Sequence, residues 1–395
     1  MSAPPPDVPP LTPRSLALWA LALVALPAAG VAWLRPSLPP DPLAALAWPQ
    51  VGAEAADARD PAVGPSHRAL RAAADALAVT AEPGAPTEGY ELRVLAGSTE
   101  VTLHDASGAV RHRWQAEWDS FGLPTDLNPR AGSFRAARLA PDGGVYVLVE
   151  GIGVVAVDRA GGHRWTVAAS AHDAFEVLPD GHLRVLTREM VQLREVARTR
   201  SYPVDHVVEY SEAGRQLARI DLLQVYRATD LAWLPIEGQM SVFGANWLQT
   251  GADGFVYVAM RERGVVAVVD PATKRLVREE PGPWTHLGAF ADLPDGGRRV
   301  LDHGPEHTLR VWTVGADGAE RARWDLGIPW NPAVPGSLQV LPDGHTRIAA
   351  GPIRELDADG RVVSSVDPLP EPPVSVLQSL RLPADCCGWL AEEGG

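Results

Sequence analysis

The chain has 395 residues, 46% of them hydrophobic and 21% charged, an ordinary globular balance that excludes a small disulfide scaffold or a disordered tail. Acidic residues outnumber basic ones 49 to 35, and the net charge of −14 repels phosphate backbones, so nucleic acid is not an expected partner. The 37 glycines and 37 prolines argue for many turns and few long helices.

Ser15 to Leu34 is a 20-residue apolar run without a charge, bracketed by Arg14 and Arg35, and its length just spans a bilayer. Trp33 at its far edge and the run's length favour a retained anchor, whereas Ala28, Ala29, Gly30 and Ala32 resemble a signal-cleavage region. Either reading places the downstream chain outside the cytoplasm, in the periplasm or at the cell surface. The expected order is a short tail (1–14), the membrane segment (15–34), an Ala/Pro-rich linker (35–86) and a folded body (87–395). Within the linker, Ser66 to Val79 carries Leu70, Ala74, Leu77 and Ala78 at helical spacing.

Beyond Tyr90 the periodicity shortens and the sequence repeats. An apolar approach, a Pro-Asp-Gly type turn and a β-rich strand recur from Arg138, Phe175, Leu248, Phe290 and Leu338. Each unit is followed by a second hairpin with an acidic turn: Val154 to Val167, Val207 to Ile220, Val265 to Glu279, Leu309 to Trp324 and Ile353 to Val366. Two hairpins make one four-stranded propeller blade. The wider gap after Phe175 implies insertions near Met190 to Tyr202 and Asp221 to Gly244. Tyr90 to Trp114 supplies an incomplete blade that the C-terminal stretch Val374 to Leu382 completes, which removes the sheet edges. The prediction is an all-β, six-bladed β-propeller. Trp114, Trp165 and Trp324 close outer hairpins at equivalent positions and read as packing against the next blade. The turn residues Asp142, Asp180, Asp295 and Asp343 read as backbone caps. His182 and His345 follow such turns and are expected in solvent. Cys386 and Cys387 read as a free or loosely paired thiol couple near a chain end, and without Cys-x-x-Cys or Cys/His spacing they build no zinc site.

The order of several motifs resembles the bacterial arylsulfotransferase-like propellers over about 70% of the chain. These are Gly89, Tyr90 and Leu92, then Asp105, Gly108 and Trp114; His172 and Asp173 ahead of Leu-Pro-Asp-Gly; Phe243 and Asn246 followed by Arg261; Leu301 to Gly304; and Gly336 to Gly344. The resemblance implies that a histidine near the axis takes a sulfuryl group from an aryl sulfate and passes it to a phenol, with no cofactor and no metal. Arg261 and Asn246 align with the family's sulfate-binding arginine and asparagine. His286 and His172 are the candidate catalytic histidines. Each is displaced, because Gly244 and Gly288 occupy family histidine positions and Ala174 is an extra residue after His172 and Asp173; a local bulge restores the register. The missing histidines leave a second reading open, in which the propeller is a non-catalytic extracytoplasmic module that binds a protein partner. A metal held by His172, His286 and His303 is a third arrangement that residue type allows.

Overall fold

Apolar residues alternating around Asp-Gly pairs fold as antiparallel hairpins, because the glycine takes the left-handed backbone the tight turn needs. In the five Asp-Gly turns the glycine φ lies between +80° and +86°, and the aspartate Oδ1 accepts the N–H two residues on at 3.0–3.1 Å. These aspartates are turn caps, as their position in the repeat predicts.

The computed structural model describes residues 80–81, 89–115, 134–196, 200–234, 241–304, 308–329, 336–367 and 376–390, all in the unit Pro65–Gly395. The apolar run Ser15 to Leu34 and the helix expected at Ser66 to Val79 lie outside these residues. Among the described residues no helix is long and apolar enough to cross a membrane.

Strand β1 (Thr80–Ala81) is followed by β2 (Tyr90–Leu95), β3 (Glu100–Asp105) and β4 (Val110–Gln115) of the first blade. The second blade is β5 (Phe134–Leu139), β6 (Val145–Val149), β7 (Gly153–Val157) and β8 (His163–Ala168). The third is β9 (Ala171–Val177), β10 (Leu183–Gln192), β11 (Ser201–Tyr210) and β12 (Gln216–Asp221). The fourth is β13 (Ala245–Thr250), β14 (Val256–Met260), β15 (Val265–Asp270) and β16 (Arg275–Pro281). The fifth is β17 (Leu287–Asp292), β18 (Arg298–His303), β19 (Thr308–Val314) and β20 (Glu320–Pro329). The sixth is β21 (Ser337–Val340), β22 (Thr346–Ala349), β23 (Ile353–Leu356) and β24 (Val362–Val366), to whose outer edge β1 adds. The last strand, β25 (Val376–Leu382), becomes the innermost strand of the first blade, with Tyr90 opposite Leu382 and Val94 opposite Gln378. The chain is therefore a six-bladed propeller closed by its own C-terminal strand.

The insertion lies in the third blade. Strands β10 and β11 run ten residues each, and α1 (Leu222–Arg227) follows β12, with Asp221 Oδ1 accepting the Gln224 N–H at 3.1 Å.

The core occupies the seams between blades. Val94, Val101 and Trp114 of the first blade meet Val147 and Val155 of the second, and the other seams repeat the pattern. Strands covered on both faces, such as β6 and β14, are buried along their whole length, which is why they read as continuous apolar runs. Each fully buried valine or leucine contributes about 1.5–3 kcal/mol, so the seams dominate the stability.

The outer tryptophans cross these seams. Trp114 donates to the Gly143 carbonyl at 3.1 Å and Trp165 to the Glu212 carbonyl at 2.8 Å, each on the next blade. Trp324 lies over Gly360 with the Arg299 guanidinium 4.8 Å from its ring centre. Trp165→Ala removes a cross-seam hydrogen bond and half-buried ring contacts. A loss of about 1–2 kcal/mol is expected, read as a lower urea midpoint at unchanged m-value.

Two sequence expectations are corrected. His182 and His345 are partly buried rather than solvated, with Nδ1 3.3 Å from Glu209 and 3.4 Å from Glu355 across the adjacent strand. Cys386 and Cys387 are bonded to each other in a short 3-10 turn after β25, and Cys387 is buried in the seam of the first two blades.

Candidate functional site

The inner strands β25, β5, β9, β13, β17 and β21 ring the axis, each touching the next. Near their N-terminal ends, at one mouth of the axis, the pairing with the second strand is interrupted in five of the six blades. Arg135, Asn246 and Leu377 are single extra residues, Gly288 and Ala289 together face Leu301, and His172 to Ala174 face Leu186. A bulge bends the strand and re-aims its side chain. Asp173 adopts φ +52°, a left-handed conformation that few non-glycine residues hold without support. The bulge that the displaced His172 requires is thus present.

His172 is buried between two carboxylates. Its Nδ1 lies 3.0 Å from Asp173 Oδ2, and Nε2 lies 3.4 Å from Asp205 Oδ1, within reach of its charge but without hydrogen-bond geometry. Asp205, fully buried on β11, accepts the Arg188 Nε at 2.8 Å and the Ala245 N–H at 2.9 Å, so it ties the third blade to the fourth. Arg135 of the second blade pairs with Glu150 at 3.3 Å and stands 4.0 Å from Asp173. Burial pulls the His172 pKa down, but the Asp173 and Asp205 carboxylates outweigh it and raise it to about 8. Burial likewise opposes ionisation of Asp173, and the His172 hydrogen bond and charge, with Arg135 and Arg188, hold it at about 2. This charge cluster favours the imidazolium, which suits a structural cation better than a nucleophile.

That assignment has a pH signature. A histidine raised from 6.5 to about 8 stabilises the fold fully below 6.5 and loses that contribution as pH rises through 8, by about 2 kcal/mol in all. Urea midpoints should fall between about pH 6 and pH 9, and His172→Asn should flatten that slope.

His286 is exposed on the segment ahead of β17. Its position is fixed from below: Asp302, fully buried, accepts the N–H of Thr285 at 2.9 Å and of His286 at 2.7 Å with Oδ1, and Trp312 Nε1 at 3.0 Å with Oδ2. The His286 Nδ1 lies 3.2 Å from the His303 carbonyl. A carbonyl only accepts, so Nδ1 carries a proton in this contact. Asn246 reaches the same place from the fourth blade, its Nδ2 donating to the Leu287 carbonyl at 2.8 Å while its buried Oδ1 has no partner among the described residues. Arg261 sits on the β14–β15 turn with its backbone N–H on the Gly244 carbonyl, its side chain one-third exposed and 3.9 Å from Glu262.

The two family histidine positions held by glycine are not empty. A Cβ on Gly288 would meet the His303 ring at 3.6 Å, and one on Gly244, at φ +61°, would meet Glu262 Cγ at 2.6 Å. His303 is buried, as its strand-end position suggests. Among the described residues no group of three His, Cys, Asp or Glu side chains has the geometry to hold a metal.

The structure therefore brings His286, Asn246 and Arg261 to the fourth and fifth blades, and places His172 in a separate cluster of the second and third. Sequence reasoning missed Arg135, Arg188 and Asp205. Arg135 was findable, since it stands five residues before the turn's first residue, as Asn246 does; Asp205 was not, because β11 and β9 meet only through β10, with which both pair.

No protein-family model matches the sequence, and no curated protein matches it. Among solved structures, the chain is similar to a protein of unknown function from Bacteroides caccae, at 13% identity and a TM-score of 0.51, covering 75% of this chain and 99% of that one. A virginiamycin B lyase from Staphylococcus aureus is similar at 8% identity and a TM-score of 0.44, over 73% and 88% of the two chains. At such identities the likeness shows the propeller fold alone.

Proposed function

We propose that the chain is an arylsulfotransferase-like propeller in which His286, rather than His172, carries the sulfuryl group. The observation that supports this most is an exposed imidazole on a pinned segment, with its Nδ1 held at the His303 carbonyl. His286 Nε2 attacks the sulfur of an aryl sulfate, and the S–O bond to the ring breaks as the phenolate leaves and takes a proton from water. A phenol oxygen then attacks the same sulfur, the N–S bond breaks, the acceptor proton passes to water and the imidazole is restored. Arg261 supplies positive charge to the sulfate oxygens, and Asn246 aligns the segment through Leu287. A membrane-anchored, extracytoplasmic placement belongs to the same proposal and is supported by the apolar run Ser15 to Leu34.

A second reading, a non-catalytic binding module for a protein partner, is favoured by one observation: Glu262 and His303 fill the room beside Gly244 and Gly288. A sulfotransfer assay on the full-length chain, with 4-nitrophenyl sulfate as donor and phenol as acceptor, separates the two. Release of 4-nitrophenol that depends on the phenol supports the enzyme. No turnover by folded protein across several aryl sulfates overturns it.

A further inference from the structure

The axis has a second mouth, at the Asp-Gly turns, and it holds a cavity of about 280 Å³. Most of the lining residues, Arg138 and Glu176 among them, come from the C-terminal halves of the inner strands, away from the ends that carry His172, Asn246 and His286. Two of them are opposite charges on neighbouring inner strands that make no direct ion pair among the described residues. Arg138 of β5 makes one hydrogen bond, from Nη1 to the Ala137 carbonyl at 2.9 Å, and forms no ion pair among the described residues. Glu176 of β9 accepts the Thr250 N–H at 2.8 Å and the Thr250 hydroxyl, and it too forms no ion pair among the described residues. Asp292, also on the wall, is different: Arg298 neutralises it at 2.8 Å. Burial depresses Arg138 to about 10 against the opposing charge of Glu176, and raises Glu176 against its Thr250 hydrogen bonds and the Arg184 and Arg138 charges.

The rest of the wall mixes apolar and polar side chains, with Trp247 and Phe290 beside Gln249 and Gln339, and the buried Trp247 indole N–H has no acceptor among the described residues. A buried donor without an acceptor, and two opposite charges that face one cavity without pairing directly, leave hydrogen-bonding and Coulombic capacity for a partner. We propose that this mouth binds a small zwitterion of the α-amino-acid class with an apolar side chain. Its carboxylate pairs with Arg138, its ammonium with Glu176, and its side chain lies against Trp247 and Phe290. The volume suits a molecule of roughly ten non-hydrogen atoms. This site is independent of His286 and stands whether or not the other mouth transfers sulfuryl groups.

Calorimetric titration of the full-length chain with L-phenylalanine tests the proposal, against 3-phenylpropanoate, which lacks the ammonium, and phenethylamine, which lacks the carboxylate. L-phenylalanine should bind at millimolar concentration or below, and each single-charge analogue at least about tenfold more weakly. Arg138→Gln should weaken L-phenylalanine at least about tenfold, and Ala291→Leu, which fills the cavity and keeps both ions, should do the same. Absence of L-phenylalanine binding overturns the proposal. So does equal binding of the three probes, or binding that survives in the folded variants.

Discussion

His286→Ala is expected to abolish phenol-dependent release of 4-nitrophenol, by about a thousandfold or more in kcat, while His172→Asn keeps most of it. The contrast follows from the surroundings of the two rings. His172 is sealed between Asp173 and Asp205, and its pKa of about 8 leaves only about a tenth of the rings neutral at pH 7. His286 faces solvent, with its Nδ1 on the His303 carbonyl. Arg261→Ala should lower kcat by about 10²–10³ if its guanidinium meets charge that develops on the sulfate oxygens, and should move the urea midpoint little, since its contact with Glu262 is long and partly exposed. Equal loss in His172→Asn and His286→Ala, with both variants folded, would return the nucleophile to the third blade. Full activity in His286→Ala would end the assignment.

The propeller was legible because each blade writes the same two hairpins, and a hairpin's register is set locally by its Asp-Gly turn. Even the closing strand could be placed, since the first blade lacks one strand and Val374 to Leu382 is the apolar segment left over; β25 begins two residues later, at Val376. The site was less legible for a physical reason. Which face a side chain takes at the axis depends on the bulges, and a bulge is decided by the pairing of strands rather than by the residue count. Counting put Gly288 where a histidine was sought, whereas the structure brings the His303 ring beside that glycine from the next strand. The same limit explains His182 and His345. Their partners Glu209 and Glu355 lie on the third strand of each blade, about ten or more residues downstream, and only the hairpin brings them together.

Closure is exposed to a single change, because β25, which follows the sixth blade in the chain, is held to β2 of the first blade by strand pairing and side-chain contacts alone. Arg347 bridges them: Nη2 lies 2.6 Å from Glu91 of the first blade, Nη1 2.9 Å from Glu355 of its own, and Nε donates to Ser379 of β25 at 2.7 Å. Arg93 completes the cluster with two bonds to Glu91, at 2.6 and 2.9 Å, and the Ser379 hydroxyl donates to Glu91 at 2.7 Å. All of these side chains are buried. Arg347→Ala leaves Glu355 with only the more distant Arg381 and His345, and an uncompensated buried carboxylate costs about 3–5 kcal/mol. Arg347→Met combined with Glu355→Gln removes both charges and should recover much of that loss, because the attraction of a buried pair is largely offset by its desolvation. Acid sharpens the test. Burial opposes the Glu91 charge, but Arg347 and Arg93 hold its pKa well below the usual carboxylate range, so its contribution is present above that range and is lost only as pH falls through the depressed folded value. In Arg347→Ala, Glu91 keeps Arg93 alone and protonates at a higher pH, so acid unfolding should begin earlier than in the parent chain. A variant with an unchanged urea midpoint and an unchanged acid transition would show that apolar packing in the seam of the first and sixth blades, rather than the ion cluster, holds the ring shut.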